Sequence, residues 1–214
     1  MNSGQPLTDQ TLSLDHWLSY IQEVHPVGWD LGLDRVSEVG RRLNLLHPAA
    51  TTILVAGTNG KGSTCEYLER FAMANGLSVG KSTSPHIHQF NERIAIDGAP
   101  VPDQSIVRAF QEIESARKEI TLTYFEFATL ASLFLFCEQK VDVAILEVCL
   151  GGRLDAMNIV DPDLTIITHI SLDHQDWLGN TRAEIAREKA GIMRAGVSCI
   201  VADRDPPESV YEYD

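Results

Sequence analysis

The chain has 214 residues, 44% of them hydrophobic, and a formal net charge of −13 that results from 30 acidic and 17 basic side chains. This size allows one large domain or two small ones with a sizeable core. Such an acidic chain is a poor candidate for a general nucleic-acid-binding protein, because binding to a phosphate backbone needs many basic groups. An anionic substrate must therefore be met by local basic groups, helix ends or a metal ion.

Four cysteines are scattered through the sequence, at positions 65, 137, 149 and 199, without a C-x-x-C pair or zinc-ligand spacing. This pattern indicates reduced thiols in a reducing compartment. The sequence shows no signal-peptide pattern and no apolar run near the ~20 residues that span a bilayer. We therefore expect a cytoplasmic protein without a membrane partner.

The segment before residue 51 is predicted to be helical after a loose polar start at residues 1–8. Apolar residues at helical spacing predict an amphipathic helix that Ser13 can cap and that ends before the breaker sequence 25–28. A second helix is predicted over residues 33–46. The loop 29–32 between the two helices carries an acid and an aromatic residue.

The stretch 51–64 has the order of a phosphate-binding element: a buried strand, a glycine-rich turn and a helix start. Its glycines let the backbone bend sharply and approach a ligand closely, and they lie at positions 57, 60 and 62. The strict motif G-x-x-x-x-G-K-[ST] is not matched, because position 55 is Val and position 62 is Gly. The prediction therefore depends on the strand–turn–helix context, and the alternative is a glycine-rich turn without a ligand.

Strands and helices alternate along the rest of the chain, which predicts a parallel α/β sheet with right-handed crossovers. The helix after the phosphate turn is expected to stop at Asn75-Gly76. Further strands are predicted over 77–83, 141–148, 164–170 and 197–201. Further helices are predicted from Pro102-Asp103, over 123–138, and from Thr181 to about residue 190, where Thr181 and Glu184 have capping-box spacing. The segment 84–93 reads as a long polar loop, and the acidic tail reads as a linker or a frayed end.

Four segments that could carry chemistry each follow a predicted strand. They are the phosphate turn 57–63, Ser84, Glu147 and His174. In parallel α/β sheets, ligands bind beyond the carboxyl ends of the strands, so we expect these segments to meet at one edge of the sheet. Lys61 should reach the β- and γ-phosphates of a nucleotide.

The residue types leave several roles open. Ser63 or Thr64 could offer a hydroxyl to Mg²⁺ or phosphate, or simply begin the helix. A strand-end carboxylate such as Glu147 is costly unless it is solvated, paired or bound to a cation, and Mg²⁺ prefers oxygen ligands. His174 is either structural or a ligand, and imidazole is an uncommon partner for Mg²⁺.

Lys189 lies four residues after Ile185 and three before Ile192, so it shares the apolar face of the last predicted helix. A lysine that points inward needs a partner or an altered charge state. Alternatively, its stem packs on the apolar face while its ammonium group reaches water.

Several stretches together resemble the folylpolyglutamate synthases, and in particular the bacterial bifunctional dihydrofolate synthase/folylpolyglutamate synthases of the Mur ligase superfamily. The phosphate turn alone would indicate only the superfamily, whereas Leu122–Glu126 and Leu150–Ala156 point to its folate branch. Cys149 and Met157 depart from the family, which usually has Gly and Thr there, and both affect the loop after Glu147. The matching stretches are 30–33, 57–63, 84–86, 122–126, 147 with 150–156, 173–174 with 177–179, and 187–192.

The resemblance implies an ATP-dependent ligase with a P-loop parallel sheet flanked by helices, as in the central ATPase domain of Mur ligases. Such enzymes phosphorylate a carboxylate, and the amine of L-glutamate then attacks the acyl phosphate. The acceptor is dihydropteroate first and reduced folates later. We expect a helical segment 1–50 packed on an incomplete ATPase domain 51–203, followed by an acidic tail 204–214.

The resemblance also implies residue roles. ATP would be bound by Thr58, Asn59, Gly60, Lys61, Gly62 and Ser63. One or two Mg²⁺ ions would be held by Ser84, Glu147 and His174. Lys189 would carry a carbamate made from CO₂ and would act in catalysis with Lys61 and His174. The pterin substrate would lie near Glu23, Val24, His25, Thr123, Phe125, Asp155 and Ala156.

Length separates this chain from the family. Members are about twice as long and carry a C-terminal α/β domain that helps bind ATP and glutamate. The resemblance therefore implies a fragment, a cleaved product or a truncated gene that lacks this domain. We expect a monomer. The alternatives are another Mur-type ligase that acts on cell-wall precursors, or a nucleotide-binding module without catalytic activity.

Overall fold

The computed structural model describes residues 12–28 and 30–212. Seven helices occur in this part of the chain: α1 (Leu14–Glu23), α2 (Asp34–Arg42), α3 (Lys61–Ala74), α4 (Asp103–Arg117), α5 (Tyr124–Gln139), α6 (Gln175–Leu178) and α7 (Arg182–Ala190). It also contains seven strands: β1 (Thr51–Ala56), β2 (Val79–Ser82), β3 (Ile94–Ile96), β4 (Ala99–Pro100), β5 (Val143–Glu147), β6 (Leu164–Ile167) and β7 (Ser198–Val201). No helix of these residues is long and apolar enough to cross a bilayer.

The strands form one sheet in the order β4-β3-β2-β5-β1-β6-β7. The five strands from β2 to β7 in this order are parallel, and β1 lies between β5 and β6 with Val55 opposite both Glu147 and Ile166. The predicted parallel sheet is therefore confirmed. Because these strands are parallel, their carboxyl ends share one edge, which also carries the phosphate turn.

An antiparallel hairpin, β3–β4, extends the sheet beyond β2 and was not predicted. The two strands are short, three and two residues. The turn between them consists of Asp97 and Gly98, both with positive φ. An Asp-Gly pair between short apolar runs is a strong hairpin signal, so the sequence did contain an indication of this element.

Side chains of β1 alternate between two hydrophobic clusters on opposite faces of the sheet. Leu54 and Ala56 belong to the large cluster, which includes residues of α4 and α5. Ile53 and Val55 belong to the smaller cluster, which includes Cys65 of α3. This arrangement explains why the strand reads as a continuous apolar run instead of alternating with polar residues.

The N-terminal helices pack on the large cluster. Trp17 and Ile21 of α1 are fully buried, and the Trp17 ring centroid lies 6.1 Å from that of Phe110 in α4. Ser13 accepts a hydrogen bond from the backbone N–H of His16, which confirms the predicted cap. α2 ends at Arg42 and not at residue 46 as predicted, because the chain turns back at Asn44, where φ is 56°.

A buried lysine joins three elements on the face of the sheet covered by α3. Lys81 of β2 is 8% exposed and donates to Glu69 and, at 2.6 Å, to Glu66, both in α3. Glu69 in turn accepts a hydrogen bond of 3.2 Å from the backbone N–H of Gly98 in the β3–β4 turn. We refer to Lys81, Glu66 and Glu69 as the Lys81 cluster.

The tail differs from its predicted character. Residues Glu208–Val210 form a 3₁₀ turn in which Val210 is fully buried. The hydroxyl of Ser209 donates to the backbone carbonyl of Ala183 in α7 at 2.8 Å. In the described part of the tail these residues pack against α7 and do not behave as a linker, because an apolar side chain interrupts the acidic composition.

Replacing Gly80 with alanine is expected to destabilise the fold by about 1–3 kcal/mol, because the added methyl group overpacks a filled core. A Cβ at Gly80 would lie 2.4 Å from Cδ1 of the buried Phe136 in α5. Urea unfolding of the variant would measure the loss. Gly28→Ala is the matched control, since a Cβ there meets nothing within 4 Å; equal stability of the two variants would contradict the prediction.

Candidate functional site

The phosphate turn connects β1 to α3 and begins at Gly57, where φ is +147°. A Cβ at this position would lie 1.8 Å from Oγ1 of Thr168, so only glycine fits. Thr168 directly follows β6. Its hydroxyl lies within donating distance of two backbone carbonyls, that of Asn59 at 2.8 Å and that of Ala56 at 3.2 Å. Thr168 thus supports the turn, a role that sequence reasoning missed and that only its position after a strand could have suggested.

The start of α3 is open to an anion. Gly60 is its N-cap, in left-handed conformation (φ 88°), and provides no side-chain acceptor for the first backbone N–H groups. Uncapped N–H groups at a helix start bind anions, and the helix dipole favours negative charge there. The hydroxyl of Thr64 is engaged with the Gly60 carbonyl at 2.9 Å, whereas Ser63 is exposed.

Two lysines meet at one carbonyl oxygen of the turn. Lys61 Nζ and Lys189 Nζ each donate to the Gly57 carbonyl at 3.0 Å, and Lys61 also reaches the Thr58 carbonyl at 3.4 Å. Lys189 is 4% exposed, so it points inward on α7 and its ammonium group does not reach water. Both lysines are therefore beside the site at which a nucleotide phosphate would bind.

The environment of Lys189 disfavours its positive charge. Burial and the neighbouring Lys61 charge lower the pKa of Lys189 to about 8, although Asp173 and Asp155 act in the opposite direction. Desolvation and a like charge both favour the neutral amine. Compared with an ordinary lysine, more of Lys189 is consequently present as the uncharged, nucleophilic amine at a given pH.

Glu147 ends β5 beside the phosphate turn and is 5% exposed. Its carboxylate accepts a hydrogen bond of 3.0 Å from the backbone N–H of Ser84, and a Cβ on Gly62 would lie 3.8 Å from it. Burial raises the pKa of Glu147, while the Ser84 amide and the charges of Lys61 and Arg93 counteract that rise. A carboxylate buried with so few partners suits a bound cation.

The oxygen atoms of Ser84 and Glu147 fit a magnesium ion. The Ser84 hydroxyl oxygen is buried and has no hydrogen-bond partner of normal geometry among the described residues, and the Cys149 thiol lies beside it. A hydroxyl and a carboxylate together are the type of hard-oxygen donor set that Mg²⁺ prefers. Ser84, Glu147 and the phosphate turn are thus brought together.

His174 is more exposed than Ser84 and Glu147. It is the N-cap of α6 in left-handed conformation (φ 47°), its side chain is 52% exposed, and its ring lies 3.7 Å from the Asp173 carboxylate. Within residues 12–28 and 30–212, no group of three or more His, Cys, Asp or Glu side chains is arranged to hold a metal ion. Its role as a magnesium ligand together with Ser84 and Glu147 stays a prediction.

A narrow cavity of about 30 Å³ lies next to the site. Four of the predicted substrate residues line it: Thr123, Phe125, Asp155 and Ala156. The other three, Glu23, Val24 and His25, are not among its lining residues. His25 is connected to it only through Asp30, whose carboxylate lies 3.1 Å from His25 Nε2.

Asp155 holds the loop that follows Glu147. Its buried carboxylate accepts hydrogen bonds of 2.8–3.0 Å from the backbone N–H groups of Cys149, Leu150 and Met157. Burial raises the pKa of Asp155 to about 6, although these bonds favour the charged form. The carboxylate is therefore occupied by the protein backbone, and two of its three donors are the residues just after Val148.

An ion-pair network at the cavity was not predicted. Arg35 of α2 pairs with Asp30 at 2.6 Å and with the buried Glu126 at 3.3 Å. Glu126 also accepts a hydrogen bond of 2.7 Å from the backbone N–H of Thr123 and so closes the capping box of α5. The capping-box pattern could have identified Glu126, whereas the pairing with Arg35 depends on contacts distant in sequence.

Comparison with known proteins places this geometry in a family. The model of the Mur ligase middle domain matches residues 55–210. The dihydrofolate synthase/folylpolyglutamate synthase of Escherichia coli (strain K12) is 51% identical over 197 residues, which are 92% of this chain and 47% of that protein. The protein of the same name from Haemophilus influenzae is 48% identical over 202 residues, which are 94% of this chain and 46% of its own.

Solved structures agree with the fold. E. coli FolC in complex with DHPP and ADP has 49% identity and a TM-score of 0.94, covering 95% of this chain and 49% of its own. A bifunctional folylpolyglutamate synthase/dihydrofolate synthase with Mn, AMPPNP and L-glutamate bound has 48% identity and a TM-score of 0.91, covering 97% and 50%. The chain thus spans about half the length of these relatives. It belongs to the family of the Mur ligase middle domain.

Proposed function

We propose that this chain is the nucleotide-binding part of an ATP-dependent ligase that joins L-glutamate to dihydropteroate or reduced folates. The observation that carries the proposal is the uncapped start of α3, where Lys61 lies beside the buried Glu147. Relatives of about twice its length that are named for this activity support the choice of reaction. One solved relative holds DHPP and ADP, and another holds Mn, AMPPNP and L-glutamate.

The proposed reaction has two steps. An oxygen of the acceptor carboxylate attacks the γ-phosphorus of ATP, and ADP leaves with the bonding electrons. The glutamate amine then attacks the acyl phosphate carbon, phosphate leaves, and the amine loses a proton. Lys61 and the first backbone N–H groups of α3 stabilise the negative charge on the phosphates.

A magnesium ion, when bound, neutralises phosphate charge and helps align the reacting oxygens. Ser84 and Glu147 would hold it through the hydroxyl and the carboxylate, and the hydrogen bond from the Ser84 backbone N–H to Glu147 supports this pairing. We propose His174 as the further ligand that the family resemblance implies. Asn59, Gly60, Gly62 and Ser63 would bind ATP together with Thr58 and Lys61, and Ser63 has the exposed hydroxyl.

We also propose that Lys189 carries a carbamate. The neutral amine attacks CO₂, an N–C bond forms, and one proton is released from the nitrogen. Counted from the ammonium form, two protons leave, and a cationic side chain becomes anionic. The lowered pKa of Lys189 supports this reaction, since the neutral amine is the nucleophile. The carbamate would also replace the repulsion between Lys61 and Lys189 by an attraction.

The pterin ring of the acceptor is proposed to enter the cavity lined by Thr123, Phe125, Asp155 and Ala156. At about 30 Å³ the cavity is far smaller than the 300 Å³ or more of an ordinary ligand site. The loop that contains Leu31 must therefore move outward to admit a pterin. We propose a monomer in the cytoplasm, where its four unpaired cysteines would stay reduced.

ADP formation by the purified chain tests the proposal. We expect AMPPNP binding in the presence of Mg²⁺, and ADP release that requires both dihydropteroate and glutamate. Competition by a UDP-linked cell-wall precursor instead would favour another Mur-type ligase. Nucleotide binding without any turnover would favour a module that needs the remaining half of the protein, a possibility that the half-length match supports.

A further inference from the structure

Arg93 is held rigidly beside the candidate metal site. It ends the 3₁₀ turn Phe90–Arg93, and its backbone carbonyl accepts a hydrogen bond of 3.0 Å from the N–H of Thr83, next to Ser84. Its Nε donates to His86 Nδ1 at 2.8 Å. The guanidinium carbon lies 5.9 Å from the ring centroid of Phe90 and 5.7 Å from that of Tyr124, so two aromatic rings fix the group.

This guanidinium lacks an acidic partner. Among the arginines of residues 12–28 and 30–212, only Arg93 and Arg204 have no carboxylate within 4.0 Å. Arg204 is exposed, whereas Arg93 is partly buried. A partly buried guanidinium that is positioned by packing but not neutralised has its remaining N–H donors available for an anion.

The position of Arg93 links the cavity to the phosphate turn. On one side, its charge acts on the carboxylate of Glu147. On the other side it stacks on Tyr124, which lies between the cavity-lining residues Thr123 and Phe125. An elongated acceptor with its ring in the cavity would carry its carboxylate past Arg93 on the way to the nucleotide.

We propose that Arg93 binds the acceptor carboxylate and orients it toward the phosphate turn. The planar guanidinium matches a carboxylate with two parallel hydrogen bonds, which fixes the direction of the reacting oxygen as well as its position. The proposal rests on the proposed function, because it requires an acceptor of the pteroate type.

Equilibrium binding of two acceptors to the 214-residue chain tests this role. The first is dihydropteroate, and the second is its carboxamide, which keeps the ring system but has no negative charge. We expect the unchanged chain to bind dihydropteroate about 10- to 100-fold more tightly than the amide, as for a charge-assisted pair. Arg93→Gln should remove this preference and leave the affinities for the amide and for AMPPNP unchanged.

Arg204→Gln is the matched control, since it removes one positive charge away from the site and should keep the full preference. Arg93→Lys keeps the positive charge but cannot form the two parallel hydrogen bonds of a guanidinium, so a partial preference for the carboxylate is expected. Unchanged AMPPNP affinity also shows that the variants are folded. If Arg93→Gln weakened AMPPNP binding and kept the preference for the carboxylate, the anion would be a nucleotide phosphate and the inference would be wrong.

Two further outcomes separate this inference from the proposed function. Equal binding of both acceptors by the unchanged chain would overturn the role of Arg93 alone. Failure of the unchanged chain to bind either acceptor, with AMPPNP still bound, would overturn the folate assignment and this inference with it.

Discussion

Replacing Lys61 with alanine is expected to weaken the binding of Mg²⁺–AMPPNP at least about 100-fold. Each hydrogen bond to a charged group contributes about 1.5–3 kcal/mol, and the substitution also removes the attraction between the ammonium charge and the phosphates. The fold should remain intact, since within the described part of the chain Lys61 bonds to the carbonyls of Gly57 and Thr58 and pairs with no carboxylate that its removal would leave unpaired. Calorimetric titration measures the affinity, and circular dichroism measures the thermal midpoint.

Lys140→Gln provides the control for Lys61→Ala. Lys140 is exposed at the C-terminal end of α5, where the chain turns into the beginning of β5, so it lies at the edge of the sheet opposite to the site. Its removal should change neither affinity nor stability. AMPPNP bound equally well by Lys61→Ala and the unchanged chain would rule out the phosphate turn as the nucleotide site.

The second large effect is expected at Lys189. With ¹³CO₂ present, the chain should show a carbamate carbon signal and a labile mass increase of about 44 Da. The amount should rise from pH 6 to 8 as the amine loses its proton, because the pKa of Lys189 is lowered to about 8. Lys189→Ala should lose both signals and, in an active assembly, lower turnover at least about 100-fold by removing one electrostatic group of the site.

The same lowered pKa makes a stability prediction in the absence of CO₂. The pKa of about 8 in the native state lies below the ordinary lysine value of 10.5, so the unfolded chain binds more protons between these two pH values. The contribution of Lys189 to the free energy of unfolding should therefore increase with pH from about 8 to 10.5. Lys189→Met should remove this pH dependence.

The carbamate prediction has a direct test of its own. An unmodified Lys189 in a chain that has bound both metal and nucleotide would contradict it.

The sequence was sufficient for the features that depend on local pattern. The apolar runs gave the five parallel strands, and the glycines with Lys61 gave the phosphate turn, because only a few backbone conformations permit such a turn. Helical spacing placed Lys189 on the apolar face of its helix but left open whether the ammonium group points inward or reaches water. Glu147 and Ser84 could be placed together because the parallel strands that precede them end at the same edge.

Other features depend on contacts that no spacing encodes. His174 follows a strand as predicted, and its left-handed backbone and half-exposed side chain could not be read from spacing. The support of Gly57 by Thr168 becomes visible only when β1 and β6 are adjacent. Arg93 was predicted only as the end of a polar loop. Its stacking on Tyr124 could not be predicted, because the two residues belong to separate elements. The roles proposed for individual site residues remain predictions.

The Lys81 cluster connects the phosphate turn to the segment that carries Ser84. α3 starts at the phosphate turn, whereas β2 leads directly to Ser84, and the buried ion pairs of Lys81 clamp this helix to this strand. The proposed nucleotide and metal donors are thereby connected through groups outside the proposed site. Substitution of Glu66 or Glu69 would accordingly shift α3 against β2 and change the geometry of the proposed site, while every proposed ligand residue stayed the same.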